Sequence, residues 1–137
     1  MAKQDCNVAL IGTKFMGKAH SNAFLKVAKF FDLPVNPVMH TAVGRDPEAT
    51  PAFANNWGWQ HTSTDWEKTV ADNDVHVVDV TTPNNTHAPM SIAALESGKM
   101  RAYGTDVWES DPPPPRSSLS FSIALSVAAP SGYFLKS

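Results

Sequence analysis

The sequence predicts a doubly wound α/β domain, an open parallel sheet with helices on both faces. Three observations predict it. Short apolar runs alternate with stretches of helical periodicity, strand then helix, along the first hundred or so residues. The first run passes through a glycine turn straight into a helix, "VALIGTKFMGKAH". The last strong run, "VHVVDVTT", is mostly apolar on both faces, as a central parallel strand covered by helices is.

Each element has its own signal. "CNVALIG" is short, apolar and partly β-branched, which predicts a buried strand. Over residues 15–31 the spacing changes. Met16, Ala19, Ala23, Val27 and Phe31 recur every three or four positions, which predicts a helix with that stripe packed on the sheet. Pro34 and Pro37 stop it. "VMHTAVG" is the second strand. "PEATPAFANNWG" is a short helix with Pro51 near its first turn and Gly58 beyond its end. "WQHTS" is a short third strand. "TDWEKTVAD" is a helix whose Thr64 and Glu67 fit a capping box. "VHVVDVTT" is the fourth strand. "NNTHAPMSIAALESGK" is a helix that Gly98 ends. Parallel neighbours joined this way take right-handed crossovers.

Composition narrows the function classes. The chain has 137 residues, enough for one compact domain and too few for two full ones. A formal net charge of -2 draws it neither to nucleic acid nor to an anionic membrane. Hydrophobic residues make up 42% and charged residues 18%, which suits a packed core rather than a disordered chain. The single cysteine, Cys6, excludes an internal disulfide, reads as a core residue and fits a reducing, cytoplasmic setting. The opening "MAKQDCN" does not read as a secretory leader, and no apolar stretch reaches membrane-spanning length.

After Met100 the character changes. "RAYGTDVW" reads as one more strand and turn. "ESDPPPPRSS" is an acidic, proline-rich break. "SLSFSIALSVAA" alternates, with Leu119, Phe121, Ile123, Leu125 and Val127 on one face, a strand pattern able to pair with a sheet edge or with another copy. The expected division is therefore a dinucleotide-binding domain over residues 1–108 and a Pro/Ser-rich tail over residues 109–137.

The chemistry sits in the glycine turn. A strand turning tightly into a helix aims free backbone N–H groups, backed by the helix dipole, at whatever lies above. A dinucleotide's pyrophosphate fits there. The dinucleotide fingerprint is G-x-G-x-x-G, and this chain carries Gly12, Lys14 and Gly17 at its three positions. Lys14 replaces the glycine that admits the phosphate closely, and its ammonium either reaches the phosphates or lies in solvent. Gly17 keeps helix and strand close. The second strand ends in "AVGRD". A carboxylate at that tip grips the ribose hydroxyls of NAD, whereas Arg45 offers a fork to the 2′-phosphate of NADP, unless it is an ordinary solvated charge. The polar loop "TPNNTH" leaves the fourth strand at the sheet edge where ligands of such folds sit.

Other residues weigh less. The histidines His20, His40, His61, His76 and His87 lack metal-ligand spacing. His40, His61 and His76 read as strand or surface residues, and His20 faces the sheet or the cofactor edge. His87, in the polar loop, is the strongest functional candidate of the five. Asp79 falls within an apolar strand and needs hydrogen-bonding partners. No serine or cysteine stands beside a recognisable base, so no nucleophile is assigned. Trp57, Trp59, Trp66 and Trp108 read as packing residues, since no basic patch accompanies them.

The segments "VALIGTKFMGKAHSNAF", "VGRDPEATPAFANNWGW" and "DNDVHVVDVTTPNNTHAPMSIAALESGKM" resemble the N-terminal half of the Gfo/Idh/MocA family of NAD(P)-dependent oxidoreductases, over roughly residues 6–100. The resemblance implies a Rossmann-type fold and a cofactor that is NADP or NAD. The substrate it implies is a sugar- or polyol-like CH–OH compound. It places the pyrophosphate on Gly12, Thr13, Lys14, Phe15, Met16 and Gly17, and Arg45 near the adenosine ribose. It lines the cleft with Thr82, Pro83 and Asn84, followed by His87. The family continues past this point into a Glu-Lys-Pro motif and a substrate domain. This chain has no Glu-Lys-Pro, so its catalytic residues are unassigned. The alternative expectation is a truncated, catalytically inactive cofactor-binding fragment or interaction module. A smaller likeness, "YGTDVWESDPPP" over residues 103–114, is to a segment of D-2-hydroxyacid dehydrogenases and would imply a fused fragment.

Overall fold

The computed structural model describes residues 2–97. The elements run β1 (Asp5–Ile11), α1 (Phe15–Phe30), β2 (Asn36–Val43), α2 (Ala49–Trp57), β3 (His61–Ser63), α3 (Trp66–Ala71), β4 (Val77–Val80) and α4 (His87–Glu96), with a 3₁₀ turn at Asn84–Thr86 before the last helix. The expected strand and tail after Met100, Trp108 and the Gly98 helix stop lie outside the described residues.

The four strands form one sheet in the order β3-β2-β1-β4, and every pairing is parallel. β1 is therefore central, with β2 on one side and β4 on the other. Among the described residues β4 has a single neighbour, β1. Its four residues are all half-buried rather than buried.

Alternation along the strands sends side chains to two cores. Val8, Leu10 and Ala42 pack with Phe53, Ala54 and Trp59, and Phe24, Met39 and Val77 join them. That is the α1/α2 face. Ile11 and Val43 pack with Val70 and Ala94, joined by Trp66, Val78, Val80 and Met90. That is the α3/α4 face, and the sheet is covered on both sides as a doubly wound fold requires. Leu10 is wholly buried, and burying a side chain of its size contributes roughly 1.5–3 kcal/mol. No helix among the described residues is long and apolar enough to cross a membrane.

Helix α1 corrects the sequence reading. The stripe Met16, Ala19, Ala23, Val27, Phe31 has helical spacing, but it is not the face laid on the sheet. Met16 is 48% and Phe31 65% exposed, whereas Gly17 and Ser21 are buried and Phe24 and Val27 half-buried. The reason is distance. The N-terminal turn of α1 lies close on the strands, so the buried positions take the smallest side chains, which an apolar count passes over. Ser21 is satisfied there. Its Oγ donates to the Gly17 carbonyl (2.7 Å) and accepts from Trp59 Nε1 (3.0 Å). Phe24 meets Trp59 edge to face with centroids 6.1 Å apart. These contacts fasten the end of α2 to α1.

Two smaller corrections concern strand and helix starts. The capping box on Thr64 and Glu67 is not formed. The cap of α3 is Asp65, whose carboxylate accepts from Lys68 N–H at 3.0 Å. An aspartate in the next position competes for the same amides and satisfies one of them with a full charge. Pro37 does not merely follow α1 but lies inside β2, near its start, paired with Cys6, which is half-buried. β1 and β2 slip by one residue between Val8 and Ala9, leaving His40 as the extra residue of a bulge. The ring of His40 lies against that of His61 in a tilted contact, centroids 4.7 Å apart. His76 Nδ1 accepts from Asn7 N–H at 3.0 Å. The three histidines thus serve strand packing.

Candidate functional site

The carboxyl ends of β1, β2 and β4 bring three segments to one edge of the sheet. These are residues 12–17, residues 44–46 and residues 81–87. They meet where the strand order reverses about β1, the position at which open α/β sheets bind ligands.

The glycine turn is held from both sides. Gly12 N–H donates to the Val43 carbonyl at 2.9 Å, tying the turn to β2. Thr81 N–H donates to the Ile11 carbonyl at 2.8 Å, and Thr81 Oγ1 reaches both the Ile11 and Gly12 carbonyls at 3.0 Å. Gly12 has φ +114°, a conformation closed to most side chains, and a Cβ there would stand 2.6 Å from Thr81 Oγ1. A Cβ on Gly17 would stand 3.0 Å from the Gly12 carbonyl carbon and nearer still to its oxygen. The first turn of α1 therefore sits directly on the strand exit. Its leading amides have no acceptor within the helix and face outward over the turn.

Lys14 caps α1 in an extended conformation and makes no side-chain capping bond. It is exposed, as are Phe15 (79%) and Met16 (48%), while Thr13 is half-buried. Thr13 stands beside Gly44, its Cγ2 and Oγ1 each 3.1 Å from where a glycine Cβ would be. This joins the glycine loop to the tip of β2. Arg45, next along, is exposed. Asp46 turns back toward α2, accepting from Glu48 N–H (2.8 Å) and Ala49 N–H (3.0 Å). Those two amides, and the Lys14 charge to a lesser degree, hold its carboxyl below the ordinary value of 3.8.

The loop leaving β4 is tied to itself. Thr86 Oγ1 donates to the Pro83 carbonyl at 2.7 Å, and Thr82 Oγ1 meets Thr86 Oγ1. His87 Nε2 donates to the Thr82 carbonyl at 2.6 Å. His87 thus braces the loop from within. Pro83 is exposed, and Asn84 begins the 3₁₀ turn.

A diphosphate fits this arrangement on structural grounds. Positions 12 and 17 lack side chains, which lets the first turn of α1 sit against the strand exit, and the helix end there carries partial positive charge. Lys14 adds a cation at the rim. Among the described residues no group of three or more histidines, cysteines or carboxylates is placed to hold a metal ion.

Sequence reasoning missed some of the residues that build the site. Thr81, Asp46 and Thr50 fasten its walls. Thr50 N–H and Oγ1 both bond to the Asp46 carbonyl, at 3.1 and 2.6 Å. The signal was present in one case, since a threonine at a strand exit opposite a glycine turn is placed to bond the turn's carbonyls. Asp79 has the partner it needed. Its oxygens lie 2.8 and 3.0 Å from His20 Nδ1, which also settles that His20 faces the sheet.

Comparison with known proteins agrees with this geometry. The family described as "Oxidoreductase family, NAD-binding Rossmann fold" (GFO_IDH_MocA) matches residues 6–102. Levoglucosan dehydrogenase of Pseudarthrobacter phenanthrenivorans is 43% identical over 97 residues, covering 70% of this chain and 25% of that protein. The solved structure of a levoglucosan dehydrogenase with NADH and levoglucosan superposes with a TM-score of 0.67 at 42% identity, covering 71% of this chain and 27% of that one. An oxidoreductase domain protein from Kribbella flavida gives 0.67 at 47% identity over 70% of this chain and 26% of its own. The chain spans about a quarter of the length of these relatives. With the glycine turn, the tip of β2 and the β4 loop gathered on one edge of a parallel sheet, the chain belongs to the Gfo/Idh/MocA family of oxidoreductases as its NAD-binding Rossmann domain.

Proposed function

We propose that the chain binds NAD(P) as the cofactor-binding part of a cytoplasmic oxidoreductase acting on CH–OH groups of sugar- or polyol-like compounds. The observation that carries this is the Gly12–Gly17 contact, which sets the first turn of α1 directly on the strand exit with no room for a Cβ at either position. Residues 12–17 take the pyrophosphate through backbone amides. Arg45 stands at the adenosine ribose. Thr82, Pro83 and Asn84 line the nicotinamide end, and His87 holds that loop in shape through Thr82. Phe15 and Met16 cover the open side of the cradle. A bound nicotinamide supplies hydride transfer, and this chain's residues supply binding and orientation.

A second reading is binding without turnover. It is favoured by the residues after Lys99, where the sequence reads "MRAYGTDVW" and not Glu-Lys-Pro. One experiment separates the two. The 137-residue chain is titrated with NADH and NADPH by fluorescence, then assayed for reduction of NAD and NADP with levoglucosan and a panel of polyols. Binding with turnover supports the enzyme. Binding alone supports the cofactor-binding fragment. No binding of either dinucleotide refutes both.

A further inference from the structure

A pair of histidines stands apart from the cofactor crevice, on strands β2 and β3. The bulge in β2 makes the pair. Side chains of a regular strand alternate between faces, so residues three apart point to opposite sides. Met39 and Ala42 nonetheless share the core under α1 and α2, while Val43 belongs to the core under α3 and α4. The extra residue of the bulge therefore turns both His40 and Thr41 toward the α3/α4 side. Thr41 is paired with His61 across the β2–β3 ladder. The bulge thus brings the His40 ring against that of His61, with centroids 4.7 Å apart and planes inclined at 57°.

That spacing is one that two imidazoles take when they share a metal ion. A Zn–N bond of about 2.0–2.1 Å puts the zinc about 3.2 Å from each ring centre, so ligand angles of about 90–110° set the centroids roughly 4.5–5.2 Å apart. The hydrogen bonds fit the same role. His40 Nδ1 lies 2.8 Å from the Thr41 hydroxyl oxygen. With Nδ1 as the donor, the ring is oriented and its lone pair stands on Nε2, the arrangement usual for a metal-ligating histidine. His61 is exposed, so its ring turns to present a nitrogen without disturbing the core. His76 is the opposite case. Its Nδ1 accepts from Asn7 N–H at 3.0 Å, which leaves the proton on Nε2 and no lone pair for a metal.

We propose that His40 and His61 bind a divalent transition cation, zinc, through one imidazole nitrogen each, and that the ion staples β3 to β2. β3 is only three residues long. Gly44 N–H bonds the Ser63 carbonyl at one end of it, and the metal adds a link at its first residue. No third histidine, cysteine or carboxylate joins the pair among the described residues, so water completes the coordination and the affinity is modest. Two ligands in place of four imply about half the binding free energy of a structural zinc site, a Kd of roughly 1–200 µM. Sequence spacing conceals the pair, because its members meet only across the ladder.

The test uses the untagged full chain, freed of metal with a chelator. It is titrated by calorimetry and melted by circular dichroism with ZnCl2, and with MgCl2 as a cation that prefers oxygen ligands. The proteins are the wild type, His61→Gln, His40→Gln and His76→Gln. In the wild type a single zinc binds per chain, and at about ten times its Kd it raises Tm by roughly 5–10 °C. Magnesium does neither. His61→Gln and His40→Gln each lower zinc affinity about tenfold or more, and His76→Gln keeps it. Because His61 is exposed, its variant folds and decides the matter even if His40→Gln does not. No zinc binding by the wild type overturns the proposal, as does zinc binding that survives His61→Gln or magnesium binding of equal strength. A loss in His76→Gln as large as that in His61→Gln overturns the two-ligand assignment.

Discussion

Replacing Gly17 by alanine tests the geometry on which the site depends. In a helix interior alanine is favoured over glycine by about 1 kcal/mol, so propensity alone predicts a gain. Position 17 is different. The new Cβ would stand 3.0 Å from the Gly12 carbonyl carbon and closer to its oxygen, and both belong to backbone that β2 and Thr81 hold in place. Neither side can yield like a flexible side chain, so α1 must lift. Overpacking of this kind costs about 1–3 kcal/mol, and after the propensity gain a net loss of up to about 2 kcal/mol remains. For a domain of this size that lowers Tm by up to roughly 15 °C. Lifting α1 also moves the amides over the cradle, so affinity for NADH falls by about tenfold or more. Gly58→Ala is the matched control. Gly58 has φ +87° with nothing within 4 Å of a Cβ, so the change costs about 1 kcal/mol through backbone strain and leaves NADH binding alone. The assay is thermal melting by circular dichroism with a fluorescence titration of the same samples. A Gly17→Ala protein that melts and binds like the wild type would refute the close-approach argument.

Other perturbations follow from the same structure. Trp59→Phe removes the Nε1 donor to Ser21 and empties space beside Phe24, which costs about 1–3 kcal/mol in urea unfolding. In a double-mutant cycle, His20→Ala and Asp79→Ala show a coupling of about 0.5–1 kcal/mol. The coupling is modest because the His20 side chain is 40% exposed. His40 titrates below the ordinary value of 6.5, chiefly through burial and then through the neighbouring His61, against the opposing pull of Asp72 and Asp74. Since its folded pKa is depressed, the unfolded chain binds more protons in that window. The stability His40 contributes is complete above pH 6.5 and is lost as pH falls through the folded value. His40→Gln therefore flattens the dependence of Tm on pH below 6.5, and an unchanged slope would count against the assignment.

Much of the fold was legible because backbone rules set it. Alternation of strand and helix signals is enough for a parallel sheet, and the glycine pair at 12 and 17 marks the turn. What was not legible involves competition between neighbours. The wrong face of α1 was chosen because an apolar count scores Met16 and Phe31 above Gly17 and Ser21, although close packing selects the small residues. The cap of α3 was assigned one residue early because Thr64 and Asp65 are both good caps, and only the path of the chain decides between them. The site was legible as a loop and two strand tips. Its fastenings were not, because Thr81 and Asp46 act across 70 residues in one case and within a single turn in the other. His87 was marked by chemistry alone, and its bond to the Thr82 carbonyl gives it a bracing role that sequence spacing does not reveal.

The Thr81 hydroxyl, spread across the Ile11 and Gly12 carbonyls, has a mechanical consequence. It rivets the exit of the last strand to the bend that opens the first helix. The two ends of a dinucleotide would lie on walls that share this rivet and cannot drift apart independently. Weakening grip at one end, as Thr81→Val would, should be felt at both, which makes tightness a property of the crevice as a whole.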